Sequence, residues 1–225
     1  MNQITTDIGE LCHRYATTGY AILRTAIDSE AIAAARREAD RLCTLTYSMP
    51  EADRTNDVVL LRHLSEAQRE GITVTGDTPF IIGNIPAYSI FLTHLLITPA
   101  IMQVTQALLN CADPEYHFSN LTMKAAGIGP HIRAHRDYPN KYHCPAAPVF
   151  LRVLLCLDAM DAANGATTVA VGSHLHEGTA DSMDDYNVET AVCNAGDALF
   201  IHPCALHGGG GNRSPRQRRV MVAQW

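Results

Sequence analysis

No hydrophobic run in this chain approaches the roughly 20 residues needed to cross a bilayer. The longest candidate, residues 90–101, is interrupted by His94 and Pro99. The seven cysteines are scattered, odd in number and never in C-x-x-C spacing, which argues against both a disulfide framework and a zinc knuckle. The first residues, Met1-Asn2-Gln3-Ile4-Thr5-Thr6-Asp7, lack the basic and apolar segments of a signal peptide. A reducing, cytoplasmic location without a membrane partner is therefore expected. Positive charge is also short: 17 Lys and Arg face 23 Asp and Glu, for a net charge of -6. That balance excludes a general nucleic-acid binder, which needs a basic surface. Arg213, Arg216, Arg218 and Arg219 form the one local exception, readable as a solvated turn. Neither an internal repeat nor a linker is evident, so one domain over residues 1–225 is expected, and 47% hydrophobic content can fill its core.

The first half reads as helical. Residues 6–17 form a helix stopped near Gly19, and Tyr20 to Leu23 a short strand. Asp28 or Ser29 caps a second helix, with Ile32, Ala35, Ala39 and Leu42 on its apolar face and Arg36, Arg37 and Asp40 on its polar one. Residues 47–93 mix charges, glycines and prolines and receive no detailed assignment. Thr98 and Pro99 open a further helix that ends near Asn110. Strands then dominate, over residues 117–124, 150–157, 167–171, 188–193, 198–202 and 219–225, with turns at Asn164-Gly165, Gly172-Ser173, Asn194 to Gly196 and Gly208 to Asn212. Helices followed by many short strands predict an α+β chain built on a jelly roll, with the helices packed on one outer face.

The chemistry concentrates in His135, Asp137 and His207, followed eleven residues later by Arg218. In an extended backbone, residues i and i+2 point the same way, so one metal can touch both His135 and Asp137. Two imidazoles and a carboxylate with a nearby cation describe a non-haem Fe(II) site that takes a carboxylate co-substrate. Competing motifs fail on context. His131 and His135 would make a zinc pair on a helix, but Gly127, Gly129 and Pro130 oppose a helix there. His135-Arg136-Asp137 resembles a kinase catalytic loop but has Tyr142 where the asparagine belongs, and His207-Gly208-Gly209-Gly210 lacks the G-x-S-x-G partner of an esterase. His174 and His202 are expected in turns or behind the site.

Several stretches, in order, resemble the phytanoyl-CoA dioxygenase-like family of Fe(II)/2-oxoglutarate oxygenases. They are Tyr15 to Ala26, Leu157-Asp158 through Asn164-Gly165, Gly172-Ser173-His174, Gly196-Asp197 to His202, and Asn212-Arg213-Ser214. The resemblance implies a double-stranded β-helix (a jelly roll, cupin-like) with N-terminal helices on one face. It implies iron on His135, Asp137 and His207, and the far carboxylate of 2-oxoglutarate on Arg218, whose planar fork suits a carboxylate. Asn120, Lys124 and Leu154 match positions that face the co-substrate, and strand alternation brings Thr122, Arg152 and Cys156 to the same interior. Gly209 stands where many relatives carry a hydroxyl residue that supports the co-substrate.

The implied cofactors are Fe(II), 2-oxoglutarate and O2, with ascorbate as a reductant in vitro, and the implied partner is a small-molecule substrate. Asp137 favours hydroxylation, since related halogenases replace that carboxylate with a small residue. Desaturation or cyclisation by the same oxidant, or a jelly roll that binds metal and ligand without turnover, are the alternatives. Arg152, in an otherwise apolar strand, needs an anion: the substrate or an internal partner. Tyr138 is also assigned to the substrate, and Arg133 and the Lys141-Tyr142-His143 loop to the mouth of the pocket. Arg133, Lys141 and Arg152 together hint at a small polar or anionic metabolite.

Overall fold

A computed structural model describes residues 7–52, 57–69, 72–74, 76–139, 145–176 and 182–225. The Lys141-Tyr142-His143 loop lies outside these residues. Helix α1 (Ile8–Thr18) starts at Asp7, whose side chain accepts from the Glu10 N–H, and ends at Gly19 in the left-handed region. Strand β1 (Tyr20–Leu23) follows, then α2 (Ser29–Ser48), capped by Asp28. The Asp28 cap and the stop at Gly19 are those the sequence predicts; Asp7 adds a cap of the same kind, since a short acceptor satisfies N–H groups that the helix cannot.

Residues 47–93 contribute β2 (Val58–Leu60), α3 (Glu66–Arg69), β3 (Pro79–Gly83), α4 (Ile85–Tyr88) and α5 (Ile90–Leu96). Their brevity explains why periodicity could not resolve them. Helix α6 (Pro99–Leu109) closes on Asn110 in the left-handed conformation. Among the described residues no single helix is long and apolar enough to cross a membrane, and α5 and α6 meet at a 50° bend.

The remaining strands are β4 (Phe118–Lys124), β5 (Ile132–His135), β6 (Arg152–Cys156), β7 (Thr167–Ala170), β8 (Val188–Thr190), β9 (Ala198–Ile201), β10 (His207–Gly209) and β11 (Arg218–Gln224). One antiparallel sheet runs β1-β9-β6-β11-β4-β3-β2, and a smaller one β5-β10-β7-β8. This is the expected α+β jelly roll.

Beyond strand ends shifted by one or two residues, two elements differ from the sequence reading. The strand expected over 188–193 stops at Thr190, where the Val192 N–H turns back onto the Thr190 carbonyl at 2.9 Å. Strand β10 stands where His207 and its glycines read as a turn. Gly208 is required there by close packing: a Cβ would lie 2.9 Å from the Ile132 carbonyl oxygen and 3.1 Å from the Ala134 nitrogen on β5.

Alternation divides the large sheet into two faces. Leu121, Met123, Val153, Leu155, Phe200, Met221 and Ala223 point out, against Leu11, Tyr15, Ile32, Ala35, Ala39, Leu42, Leu92 and Val104 of the helices. Leu154, Cys156, Leu199, Ile201, Val220 and Val222 point into the roll. The basic run divides: Arg213 and Arg216 are exposed, as a solvated turn requires, and Arg218 and Arg219 are buried. Arg219 is buried, with Nε 2.8 Å from Asp158 and Nη1 2.7 Å from Asp40, and so ties β11 to α2. Arg216 pairs with Asp161, Arg213 donates to the Gly129 carbonyl, and Arg218 turns inward.

Truncating Phe200 to alanine leaves a cavity between sheet and helices. It should cost about 3–5 kcal/mol, read as a lower urea midpoint with an unchanged slope.

Candidate metal and co-substrate site

The inner face of β4, β6 and β11 and the facing small sheet enclose a cavity of about 270 Å³. His135 ends β5 and His207 begins β10, and antiparallel pairing sets them directly opposite each other, with ring centroids 4.4 Å apart. Asp137 follows two residues beyond His135 and is buried. Its Oδ1 lies 3.8 Å from His135 Nε2 and its Oδ2 3.9 Å from His207 Nε2. One ligand atom from each of the three falls within 4.8 Å of the others.

The imidazole tautomers follow from their neighbours. His135 Nδ1 lies 2.9 Å from the Arg133 carbonyl and His207 Nδ1 2.9 Å from the Ala205 carbonyl. A carbonyl only accepts, so each Nδ1 carries the hydrogen and each Nε2 presents a lone pair to the common centre. Burial pushes His207 down to about 4, which keeps it unprotonated at neutral pH. Asp137 Oδ2 is buried with no hydrogen-bond partner. An orphaned carboxylate oxygen beside the His207 lone pair, in a cluster completed by the His135 lone pair, fits a divalent metal, and the N2O donor set suits Fe(II).

Deeper in the cavity, Arg218 and Lys124 stand opposite each other in the β11–β4 register. Arg218 Nη1 donates to the Gly165 carbonyl at 2.7 Å, while its Nε is buried without a partner. Desolvation pushes its pKa down to about 10, so the guanidinium remains a cation. Among the described residues no carboxylate lies within ion-pair reach of it. Such a buried cation fits the far carboxylate of a diacid. Fully buried Lys124 donates to the carbonyls of Gly165 at 3.1 Å, Gly209 at 3.2 Å and Gly210. A side chain at Gly209 would press on the backbone: its Cβ would sit 3.1 Å from the Ala166 carbonyl oxygen, and 3.4 Å from Nζ.

Of the other anticipated residues, Asn120, Thr122, Leu154 and Arg152 line the cavity. Arg152 places Nη2 3.2 Å from Asp137 Oδ1 and stacks its guanidinium 4.6 Å above the Phe118 ring. Tyr138 is not part of this lining; its hydroxyl donates to the Ala146 carbonyl at 3.0 Å. His131 and Arg133 line an adjoining cavity.

Some contributors escaped sequence reasoning. Gly165 supplies the carbonyl shared by Lys124 and Arg218, held in the left-handed region by a turn in which Asn164 bonds the Ala159 carbonyl and the Asp161 N–H. Thr167, Ile81, Ile132 and Val220 complete the wall. Arg136 donates to the carbonyls of Ser173 and Cys204, bracing the loops behind the metal ligands. Main-chain acceptors carry no residue signature, so only the fold could reveal them.

The profile of the phytanoyl-CoA dioxygenase (PhyH) family matches residues 15–220. This chain belongs to that family. The cofactors assigned by PhyH membership and this donor set are Fe(II) and 2-oxoglutarate. An iron/alpha-ketoglutarate-dependent dioxygenase, ausU of Aspergillus calidoustus, is 38% identical over 95 residues, covering 39% of this chain and 32% of that relative. The chain therefore spans about a third of that relative's length. AviO1 from Streptomyces viridochromogenes Tue57 superposes with a TM-score of 0.79 at 21% identity, covering 99% of this chain and 96% of that one. The epimerase SnoN, solved with Fe3+, alpha ketoglutarate and nogalamycin RO, gives 0.75 at 19% identity over 96% of this chain and 82% of that one. At these identities the structural likeness speaks for the PhyH fold.

Replacing Asp137 or His207 with alanine should weaken Co(II) or Fe(II) binding by at least about 100-fold, measured by calorimetry, with thermal stability of the apoprotein retained. A pH effect comes from behind the site. His202 packs against Tyr15 and His174, and burial pushes it from the usual 6.5 down to about 4. The unfolded chain therefore takes up this proton first as pH falls, so its contribution to stability is present above about 6.5 and lost towards 4. Thermal melting of the apoprotein across this window should decline less steeply in a His202→Gln variant.

Proposed function

We propose that this chain is an Fe(II)- and 2-oxoglutarate-dependent oxygenase that hydroxylates an unactivated C–H bond of a small polar metabolite. The observation that carries the reading is a single cavity with a His-Asp-His metal triad at one end and a buried arginine at the other. Bound Fe(II), with O2 and 2-oxoglutarate, supplies the oxidising chemistry, and the co-substrate leaves as succinate and CO2. The protein's own task is to bind, orient and exclude water.

Arg218 takes the far carboxylate through charge-assisted hydrogen bonds, and Lys124 adds positive potential next to it. Gly165 fixes both cations through its carbonyl oxygen. Leu154 and Val220 form the apolar flank of the co-substrate, and Asn120, whose Oδ1 accepts from the Thr122 hydroxyl at 2.8 Å, is left with its amide N–H groups for polar recognition. Of the two side chains assigned to substrate from sequence, we retain Arg152, which faces the cavity beside the metal ligands.

Hydroxylation is favoured by Asp137, which fills the position that a halide would need. A neighbour of the same fold is an epimerase, so product analysis has to separate the outcomes. A gain of one oxygen atom marks hydroxylation, and a loss of two hydrogens marks desaturation or ring closure.

Purified protein supplied with Fe(II), ascorbate and 2-oxoglutarate should release succinate, slowly even without the prime substrate. Arg218→Ala should raise the KM for 2-oxoglutarate roughly 10- to 100-fold while metal affinity holds. Absence of both succinate release and co-substrate binding by calorimetry would leave only a metal-binding jelly roll.

A further inference from the structure

Among the described residues the Arg218 guanidinium makes one hydrogen bond, from Nη1 to the Gly165 carbonyl at 2.7 Å, and its Nε is buried without a partner. Nη1 lies off the Nε–Nη2 edge, the side of a guanidinium that can meet both oxygens of a carboxylate at once. The direction of that edge is therefore set by where the Gly165 oxygen stands.

This oxygen belongs to a trans peptide unit that is fixed from its other side. Such a unit points its C=O and N–H in opposite directions, and its N–H, on Ala166, donates to the Asp161 carbonyl at 2.9 Å. Asp161 is in turn locked by a reciprocal pair. Its Oδ1 accepts from the N–H groups of Ala163 at 3.0 Å and Asn164 at 3.1 Å, while Asn164 Oδ1 accepts from the Asp161 N–H at 2.8 Å. Asn164 is fully buried and also donates from Nδ2 to the Ala159 carbonyl at 2.8 Å. Gly165 then turns the chain in the left-handed region, where a Cβ would strike the Gly210 carbonyl oxygen.

The same turn is tied to the approach to β11. Asp161 Oδ2 takes Arg216 Nη2 at 2.6 Å, two residues before Arg218. Neither Asp161 nor Asn164 lines the cavity, so any effect they have on a ligand passes through the Gly165 oxygen. The two imidazoles of the triad take their orientation from other carbonyls, those of Arg133 and Ala205. Removing the Asn164 amide strands the Asp161 N–H and the Ala159 carbonyl in a buried place, and the turn must shift to recover partners.

We propose that Asn164 and Asp161 are positioning residues for the co-substrate: the turn they close directs the Gly165 carbonyl, and that carbonyl directs the Arg218 guanidinium at the far carboxylate. The proposal rests on the oxygenase reading above. Its signature is selective, because affinity falls for ligands that carry a far carboxylate and holds for the metal and for ligands that touch the metal alone.

The test uses the Co(II)-loaded protein with 2-oxoglutarate and with oxalate, which chelates a metal but has no far carboxylate, and follows the visible Co(II) spectrum. Asn164→Ala should weaken 2-oxoglutarate at least about tenfold and leave the oxalate and Co(II) affinities within about twofold. Asp161→Ala should act in the same way, and Asp161→Asn, which keeps an acceptor oxygen for both N–H groups, should recover most of the affinity. In an Arg218→Ala background the Asn164→Ala effect should disappear, since residues that act through one another are not additive. Unchanged 2-oxoglutarate affinity in Asn164→Ala, an equal loss for oxalate, or an equally large effect without Arg218 would overturn the proposal, while 2-oxoglutarate binding by the unmodified protein leaves the oxygenase function standing. Should Asn164→Ala fail to fold, Asp161→Ala decides by the same three outcomes. Failure of the unmodified protein to bind 2-oxoglutarate would overturn both readings.

Discussion

The antiparallel pairing of β5 with β10 places His207 across from His135 and thereby brings together a site whose parts are 70 residues apart. The pairing is possible because Gly208 has no side chain to strike the β5 backbone. The same strand pairs on its other edge with β7, where His207 lies opposite Val169, so the histidine is fixed from both sides. With each Nδ1 committed to a carbonyl, neither ring can turn without giving up a hydrogen bond. The two imidazoles are thus oriented by backbone, on regular structure, before any metal arrives.

Electrostatics organises the remainder of the cavity. Burying Lys124 and Arg218 side by side is costly, and main-chain oxygens offset part of that cost. Gly165 is the shared acceptor, and the turn that carries it depends on Asp161 and Asn164. Carbonyls carry no net negative charge, and Arg218 keeps a buried Nε without a hydrogen-bond partner.

Many of the motifs that signal the family do not touch the cavity. Asp158 accepts from the Arg219 guanidinium and backbone, and Asp197 accepts from the Thr25 N–H and Arg24. Asn212 bonds the carbonyls of Lys124 and Arg216 and accepts from Ser214, holding the entry to β11. Ser173 accepts from the Leu206 N–H just before the distal histidine. These side chains set the ends of strands, and strand ends decide where the chemically active residues fall. Their contribution to function is positional.

The sequence by itself determined the Asp28 cap, the alternation that turns Asn120, Thr122, Lys124, Arg152 and Leu154 inward, and the three side chains, His135, Asp137 and His207, that gather as a candidate metal cluster. These depend on local geometry or on residue types that few other arrangements use. Only the tertiary structure decided that β10 is a strand rather than a turn, since Gly208 is explained by the distant Ile132 and Ala134 on β5. It alone decided that Arg152 meets Asp137, that Arg219 is buried on Asp158 and Asp40, and that Gly165 lends its carbonyl to two cations. Long-range pairing and main-chain acceptors leave no periodic trace along a chain, because what they require is a position in space and not a side chain.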